Sequence, residues 1–281
     1  MKEKLIEYLK RVGELNYLVA ILRWEMDTQA PSASYDYLIN VSTRYEIEAF
    51  NLLTSDEYIG LVNNLINSSE FNSLSYEEQV YIKDLQEDFY KFKRVPVEFY
   101  EVFCNLRSKS LATWVSAKEN NDYDSFKPFL KDIIEYTKIY YKYMYPDATN
   151  LYDCMLNEFE KGIKTDFIDK LFDKLKKELI PIVKGLKKKE VKSVTNVLDD
   201  SKFIEFARFL LDYIGFDNSR GALGIYTHGY TTKLNNNDVR ITFSNRDNPL
   251  DSISTIVHEG GHGIFDQSIS DTLTMYETYE V

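Results

Sequence analysis

Near its C-terminal end the chain sets two of its three histidines four residues apart, in His258-Glu259-Gly260-Gly261-His262. That spacing constrains the local fold, because on a helix residues four apart lie one above the other. The stretch from Ser252 to Asp266 reads as helical, with Leu250, Ile253, Val257, Gly261 and Ile264 recurring at threes and fours. Asp251 or Ser252 is the expected cap of its first turn. On such a helix both imidazoles can point at one ion, and Glu259 lies a step round.

This is the H-E-x-x-H arrangement of zinc peptidases, with His258 and His262 as metal ligands and Glu259 as general base. Zinc held this way lowers the pKa of its water from ~15.7 to about 7. Glu259 would take the proton of that water and later pass it to the leaving amine. Each glycine of the Gly260-Gly261 pair costs a helix interior about 1 kcal/mol relative to alanine. The pair therefore predicts a close backbone approach by a neighbouring element.

At 281 residues the chain exceeds the usual single-domain size, yet no Pro-, Gly- or Ser-rich linker divides it. Eleven glycines and six prolines are few, and 22 tyrosines supply core material for a strongly helical protein. A formal net charge of −11 argues against nucleic acid or an anionic membrane as partner. No apolar run is long enough to span a bilayer, and the residues after Met1 lack the apolar region of a signal peptide. Cys104 and Cys154, without metal spacing, read as reduced thiols of a cytoplasmic protein.

Helical patterns run over about 3–27, 34–53, 56–67, 76–92 and 126–145, and another opens at Pro96 and carries an apolar stripe from Phe99 to Trp114. Ser75-Tyr-Glu-Glu78 is a capping box, and Pro96 suits a first helical turn. A short helix from Tyr152 stops at Gly162. Another over about 166–188 ends in the lysine run Lys184 to Lys189, and one more ends at Gly215. The texture then changes: Gly221 to Thr232 lacks helical periodicity, Asn235 to Asp238 is turn chemistry that tolerates left-handed backbone, and Val239 to Phe243 alternates as a half-buried strand does. The expected organisation is a helical part over 1–220, a small sheet over 221–248 and the histidine helix over 249–267. An exposed sheet edge beside that helix could bind an extended peptide.

Five segments make the chain resemble the carboxypeptidase Taq family of metallocarboxypeptidases. They are Trp24-Glu-Met-Asp27 to Pro31, Tyr152-Asp153 to Gly162, His228-Gly-Tyr230 in place of His-Pro-Phe, Asp238-Val-Arg240-Ile-Thr242, and His258 to His262 followed by Phe265-Asp266-Gln267. The resemblance implies a mainly α, zincin-like fold with a small sheet before the H-E-x-x-H helix, and usually a homodimer. It also implies removal of C-terminal amino acids from peptides by zinc or a similar divalent metal. His258 and His262 carry over as ligands, Glu259 as general base, and Arg240 and His228 as substrate-binding candidates. For Arg240 a structural ion pair with Asp238 or Asp247 is the alternative. The family's third ligand is a Glu on a later helix, beyond Val281, so the chain matches the N-terminal part of a member. Asp266 is expected to hydrogen-bond a ligand imidazole, while Asp271, Glu277 and Glu280 are the other late carboxylates. Metal is therefore expected to be weakly bound or absent, and activity low. Two alternatives stay open at this level: an oligoendopeptidase F-like zinc peptidase and a non-catalytic helical remnant.

Overall fold

Prolines and capping side chains set where the helices of the computed structural model begin; it describes residues 1–187, 199–245 and 249–269. Helix α1 (Lys2–Thr28) ends before Pro31, and α2 (Tyr35–Leu53) follows. The Ser55 hydroxyl accepts from the Tyr58 amide to open α3 (Asp56–Ile66). The capping box opens α4 (Tyr76–Phe92): Ser75 accepts from the Glu78 amide at 3.2 Å, and Glu78 accepts from the Ser75 amide at 2.9 Å. Pro96 caps α5 (Val97–Glu119) from outside instead of occupying its first turn. Helices α6 (Tyr123–Met144), α7 (Leu151–Phe159), α8 (Thr165–Gly185) and α9 (Asp200–Ile214) complete the helical part. Of the lysine run after Lys184, positions 188 and 189 lie outside the described residues. Both cysteines are free thiols.

Of four hydrophobic clusters among the described residues, two are the largest. In the first, Leu5 and Leu9 of α1 meet Tyr58, Val62 and Leu65 of α3 and Ile82, Leu85 and Phe89 of α4. Full burial of each such side chain contributes about 1.5–3 kcal/mol, and no described residue of the histidine helix belongs to this cluster. The second joins Phe203, Ala207 and Leu211 of α9 to Phe216, Val239, Ile241, Phe243 and Ile256. Gly215 ends α9 at φ 101°, and the Phe216 amide then donates to the Leu211 carbonyl at 2.9 Å. That closure turns the Phe216 ring into the interior.

The region expected to hold a small sheet contains β1 (Gly221–Ile225), β2 (Tyr230–Asn235) and β3 (Asp238–Phe243), in the order β1-β3-β2. β3 runs parallel to β1 and antiparallel to β2. The turn expected over Asn235 to Asp238 joins β2 to β3 and uses no left-handed asparagine, Asn121 being the sole non-glycine with positive φ among the described residues. The turn closes instead through the Asn235 side chain, which accepts from the Asn237 amide at 2.8 Å, beside a register shift between Lys233 and Asn235. Strand alternation then divides the sheet. Val239, Ile241 and Phe243 join the core made with α9 and Ile256, while Arg240 and Thr242 face the other way, towards α1.

The histidine helix, α10 (Pro249–Ser268), corrects two expectations. Pro249 already lies within it, so Asp251 and Ser252 do not cap it. Ser252 is buried and donates to the Ser244 carbonyl at 2.8 Å, tying the first turn to the end of β3. The large apolar stripe is also not the buried one. Ser252, Ile256, Glu259, Gly260, Gly263 and Gln267 are buried, whereas Leu250 and Val257 are exposed. Small residues let the helix sit tight on the sheet and α9, where Ile256 and Ile264 pack, while Leu250, Val257 and Phe265 lie on the exposed side.

Candidate active site

Helix geometry brings His258 and His262 together with ring centroids 4.9 Å apart and planes nearly perpendicular. Both lie on the exposed side of α10, and among the described residues neither has a hydrogen-bond partner. Glu259 points the other way, 7% exposed, against β2. The Thr231 hydroxyl lies 3.0 Å from its Oε2 and 2.9 Å from its carbonyl oxygen, and its one proton serves either in turn. The two glycines divide. A Cβ on Gly260 would come within 2.6 Å of Leu211 and 2.7 Å of Ile214, but one on Gly261 would meet nothing within 4 Å. The second close approach belongs to Gly263, where a Cβ would lie 2.7 Å from the Phe216 ring.

His228 sits in the loop joining β1 to β2. The Thr242 hydroxyl donates to the His228 carbonyl at 3.0 Å and accepts from the Tyr230 amide at 2.9 Å, so the last residue of Asp-x-Arg-x-Thr pins this loop. The loop lies on the α10 turn before the histidines. A Cβ at Gly229 would come within 2.2 Å of Thr255 Cγ2 and 3.4 Å of Glu259 Cγ. Thr255 fills the space that a larger residue at 229 would need, which accounts for glycine at this position. The exposed His228 ring meets Trp114 of α5 edge-on, with centroids 6.4 Å apart. One turn further on, Lys118 sits over Trp114 and donates to the Thr227 carbonyl at 3.3 Å.

Arg240 is not brought to the histidines. Its guanidinium forks onto both oxygens of Asp238, at 2.9 Å each, and lies over the Trp24 ring, on the sheet face away from α10. The ion pair with Asp238 is therefore the one formed; Asp247 lies outside the described residues. On the same face the Tyr230 hydroxyl donates to Asp27 at 2.6 Å. Burial raises the Asp27 pKa, and hydrogen bonds from Tyr230 and Tyr226 offset part of the rise.

Two imidazoles on one open face, without a hydrogen-bond partner among the described residues, suit a divalent ion. Among the described residues no group of three or more His, Cys, Asp and Glu side chains converges, so the donor set there stops at two. Asp266 is half-buried, which raises its carboxyl pKa, and it makes no hydrogen bond to the imidazole. Asp271, Glu277 and Glu280 lie outside the described residues.

A family model described as carboxypeptidase Taq (M32) metallopeptidase matches residues 4–280. The chain belongs to this family. The oligoendopeptidase F reading gives way accordingly. Carboxypeptidase 1 of Bacillus subtilis is 28% identical over 279 residues, covering 97% of this chain and 55% of that protein. Thermostable carboxypeptidase 1 of Pyrococcus furiosus is 25% identical over 275 residues, covering 95% and 54%. The chain thus spans about half the length of the curated relatives it matches. Superposition on the BsuCP crystal structure gives a TM-score of 0.89 at 28% identity, over 96% of this chain and 55% of that one. The M32 carboxypeptidase of Deinococcus radiodurans shares the fold at TM-score 0.82 and 21% identity, over 96% and 55%.

Within this M32 chain, sequence reasoning missed Thr231, Trp114 and the Asp27–Tyr230 contact. Thr231 had no signal of its own, since a threonine on a strand is ordinary. Trp114 stood in an apolar helical stripe, and its meeting with His228 depends on how α5 lies across the sheet.

Proposed function

We propose that the chain carries the peptide- and metal-binding part of a metallocarboxypeptidase that removes C-terminal amino acids from peptides. The observation that carries this is α10 itself: two imidazoles on its open side, unpartnered among the described residues, and, between them in sequence, a carboxylate held by Thr231. His258 and His262 would hold zinc or a similar divalent ion. Such an ion brings the pKa of water towards neutrality and polarises a carbonyl.

Glu259 takes a proton from the attacking water and delivers it to the departing amine. Held by Thr231 at Oε2, the carboxylate keeps its second oxygen for that transfer, and burial keeps the group from swinging into solvent. β2 is an edge strand, so its free side supports an extended peptide, with His228 and Trp114 as a wall for substrate groups. Arg240 is assigned to holding α1 on the sheet, because its fork is taken by Asp238. A third ligand comes from outside the described residues.

The test is zinc content after dialysis against a fixed free-zinc buffer, together with hydrolysis of a blocked dipeptide. His258→Ala and His262→Ala are each expected to abolish uptake, while Glu259→Gln keeps the metal and loses turnover by ~10²–10⁴-fold wherever turnover is measurable. Unchanged zinc content in both histidine variants overturns the proposal.

A further inference from the structure

We propose that a cavity walled by α1 to α4 is a binding site for a small amphiphilic ammonium, a molecule with one protonated amine on an apolar, ring-sized body. None of its walls belongs to the histidine helix, so the site stands whether or not α10 serves a peptidase.

The cavity holds about 300 Å³. Packed interiors keep few voids larger than one water, and ligand pockets begin at about this size. Leu9, Leu53, Leu85 and Phe89 supply its apolar lining, while Tyr58, Asp84 and Asp88 bring polar atoms to it.

Tyr58 is the first observation. The residue is 2% exposed, and among the described residues its hydroxyl has no hydrogen-bond partner. Tyr8 stacks on it with ring centroids 5.7 Å apart and shows the usual arrangement. The Tyr8 hydroxyl donates to the Leu52 carbonyl at 2.9 Å and lies 2.8 Å from the Ser55 hydroxyl. A buried hydroxyl without a partner is costly, so one that lines a cavity of this size points to a polar group taken in there.

The acidic rim is the second. Asp84 and Asp88 stand one turn apart on α4, both partly exposed. Lys91 pairs with Asp88 at 2.7 Å, Glu158 at 2.9 Å and Glu87 at 4.0 Å. Lys161 pairs with Asp84 at 2.6 Å and Glu87 at 3.3 Å. Four carboxylates thus share two ammonium groups, and the surplus is negative. Burial raises the Asp88 pKa, so this carboxylate has lost water that a further cation replaces. Its charge also acts on the Tyr58 hydroxyl, which places the two polar groups near each other.

That pairing selects the ligand. An anion meets the negative surplus, and a neutral hydrocarbon leaves the Tyr58 hydroxyl alone. An ammonium donates both to Asp88 and to the Tyr58 oxygen, and its apolar body fills the leucine and phenylalanine lining.

The experiment titrates the 281-residue chain at about pH 7 with 2-phenylethylammonium, 2-phenylethanol and 3-phenylpropionate, by calorimetry and saturation-transfer NMR. The expected result is one ammonium per chain with a Kd of about 1 mM or tighter, the alcohol at least about tenfold weaker and the carboxylate unbound. Asp88→Asn should weaken the ammonium about tenfold and leave the alcohol unchanged. Tyr58→Phe keeps the ring and should weaken the ammonium about threefold. Circular dichroism and melting temperature report whether each variant folds. If Asp88→Asn does not, Tyr58→Phe and the wild-type preference for the ammonium over the alcohol decide the matter. No ammonium binding at about 10 mM overturns the proposal. So does equal affinity for ammonium and alcohol, or an affinity that neither variant moves. Binding lost in His258→Ala puts the amine at α10 and overturns it as well.

Discussion

α8 and α10 are nearly equal in length, yet they relate to the rest of the molecule in opposite ways. α8 has the cleaner apolar stripe and buries none of it. α10 places Leu250, Val257 and Phe265 outward and is nevertheless held firmly, through Ser252, Ile256, Gly260, Gly263 and Gln267. Gln267 alone accepts from the Asp217 amide at 2.9 Å and donates to the Asp217 and Arg220 carbonyls. The difference teaches that a stripe of large apolar residues states which side needs cover, not that cover comes from within the chain. Attachment at α10 is made by small and polar residues, which allow close approach and saturate backbone groups.

The sharpest way to break this comparison is a matched pair of truncations. Ile256→Ala, at a fully buried position, should cost about 2–5 kcal/mol in urea unfolding. Leu179→Ala on α8 should stay within about 0.5 kcal/mol. Equal costs would show that α8 is packed as tightly as α10.

A smaller effect separates attachment from chemistry on α10. Thr231→Val leaves the buried Glu259 without its hydroxyl donor and should cost about 1–3 kcal/mol, with Thr231→Ser restoring most of it. If Ser and Val behave alike in thermal melts, the threonine contributes packing alone.

The two faces of the sheet can be compared through pH. Burial raises the folded-state pKa of Asp27 above its unfolded value. Stability linked to this group is therefore fully present below about pH 4 and is lost as pH rises through the folded-state value. Melting temperatures of the wild type should fall relative to those of Asp27→Asn as pH rises above about 4. Parallel curves for the two proteins would remove Asp27 from the account.

The smallest expected effect is a gain. Gly261 has open space where a Cβ would go, so Gly261→Ala should add about 0.5–1 kcal/mol by helix propensity. Gly263→Ala should lose stability, because its Cβ would meet the Phe216 ring at 2.7 Å. Both changes shifting stability in the same direction would contradict the tight seating of α10.

Much of the fold was legible because local signals agreed with the tertiary outcome. The Ser75–Glu78 capping box, the stop at Gly215 and the alternation of Val239 to Phe243 each appear where the residues called for them. At the site, the four-residue spacing of His258 and His262 needed no tertiary information, since one turn of helix stacks them. Arg240 shows where that legibility ended. Its motif suggested a place near the metal, but strand alternation turned it to the α1 face, where Asp238 and Trp24 take it up.

By itself, then, the sequence determined the helical class, the small sheet before the histidine helix, and which two imidazoles share a face. These follow from periodicity, capping and turn chemistry, which act over a few residues. Tertiary structure alone decided which side of α10 is buried, that Thr231 holds Glu259, that Thr242 pins the His228 loop, and that Gly229 and Thr255 share one space. Those facts depend on contacts between residues 14 to 28 positions apart or on the room left between elements. No local pattern encodes such distances, because they are set by how whole helices and strands come to rest on one another.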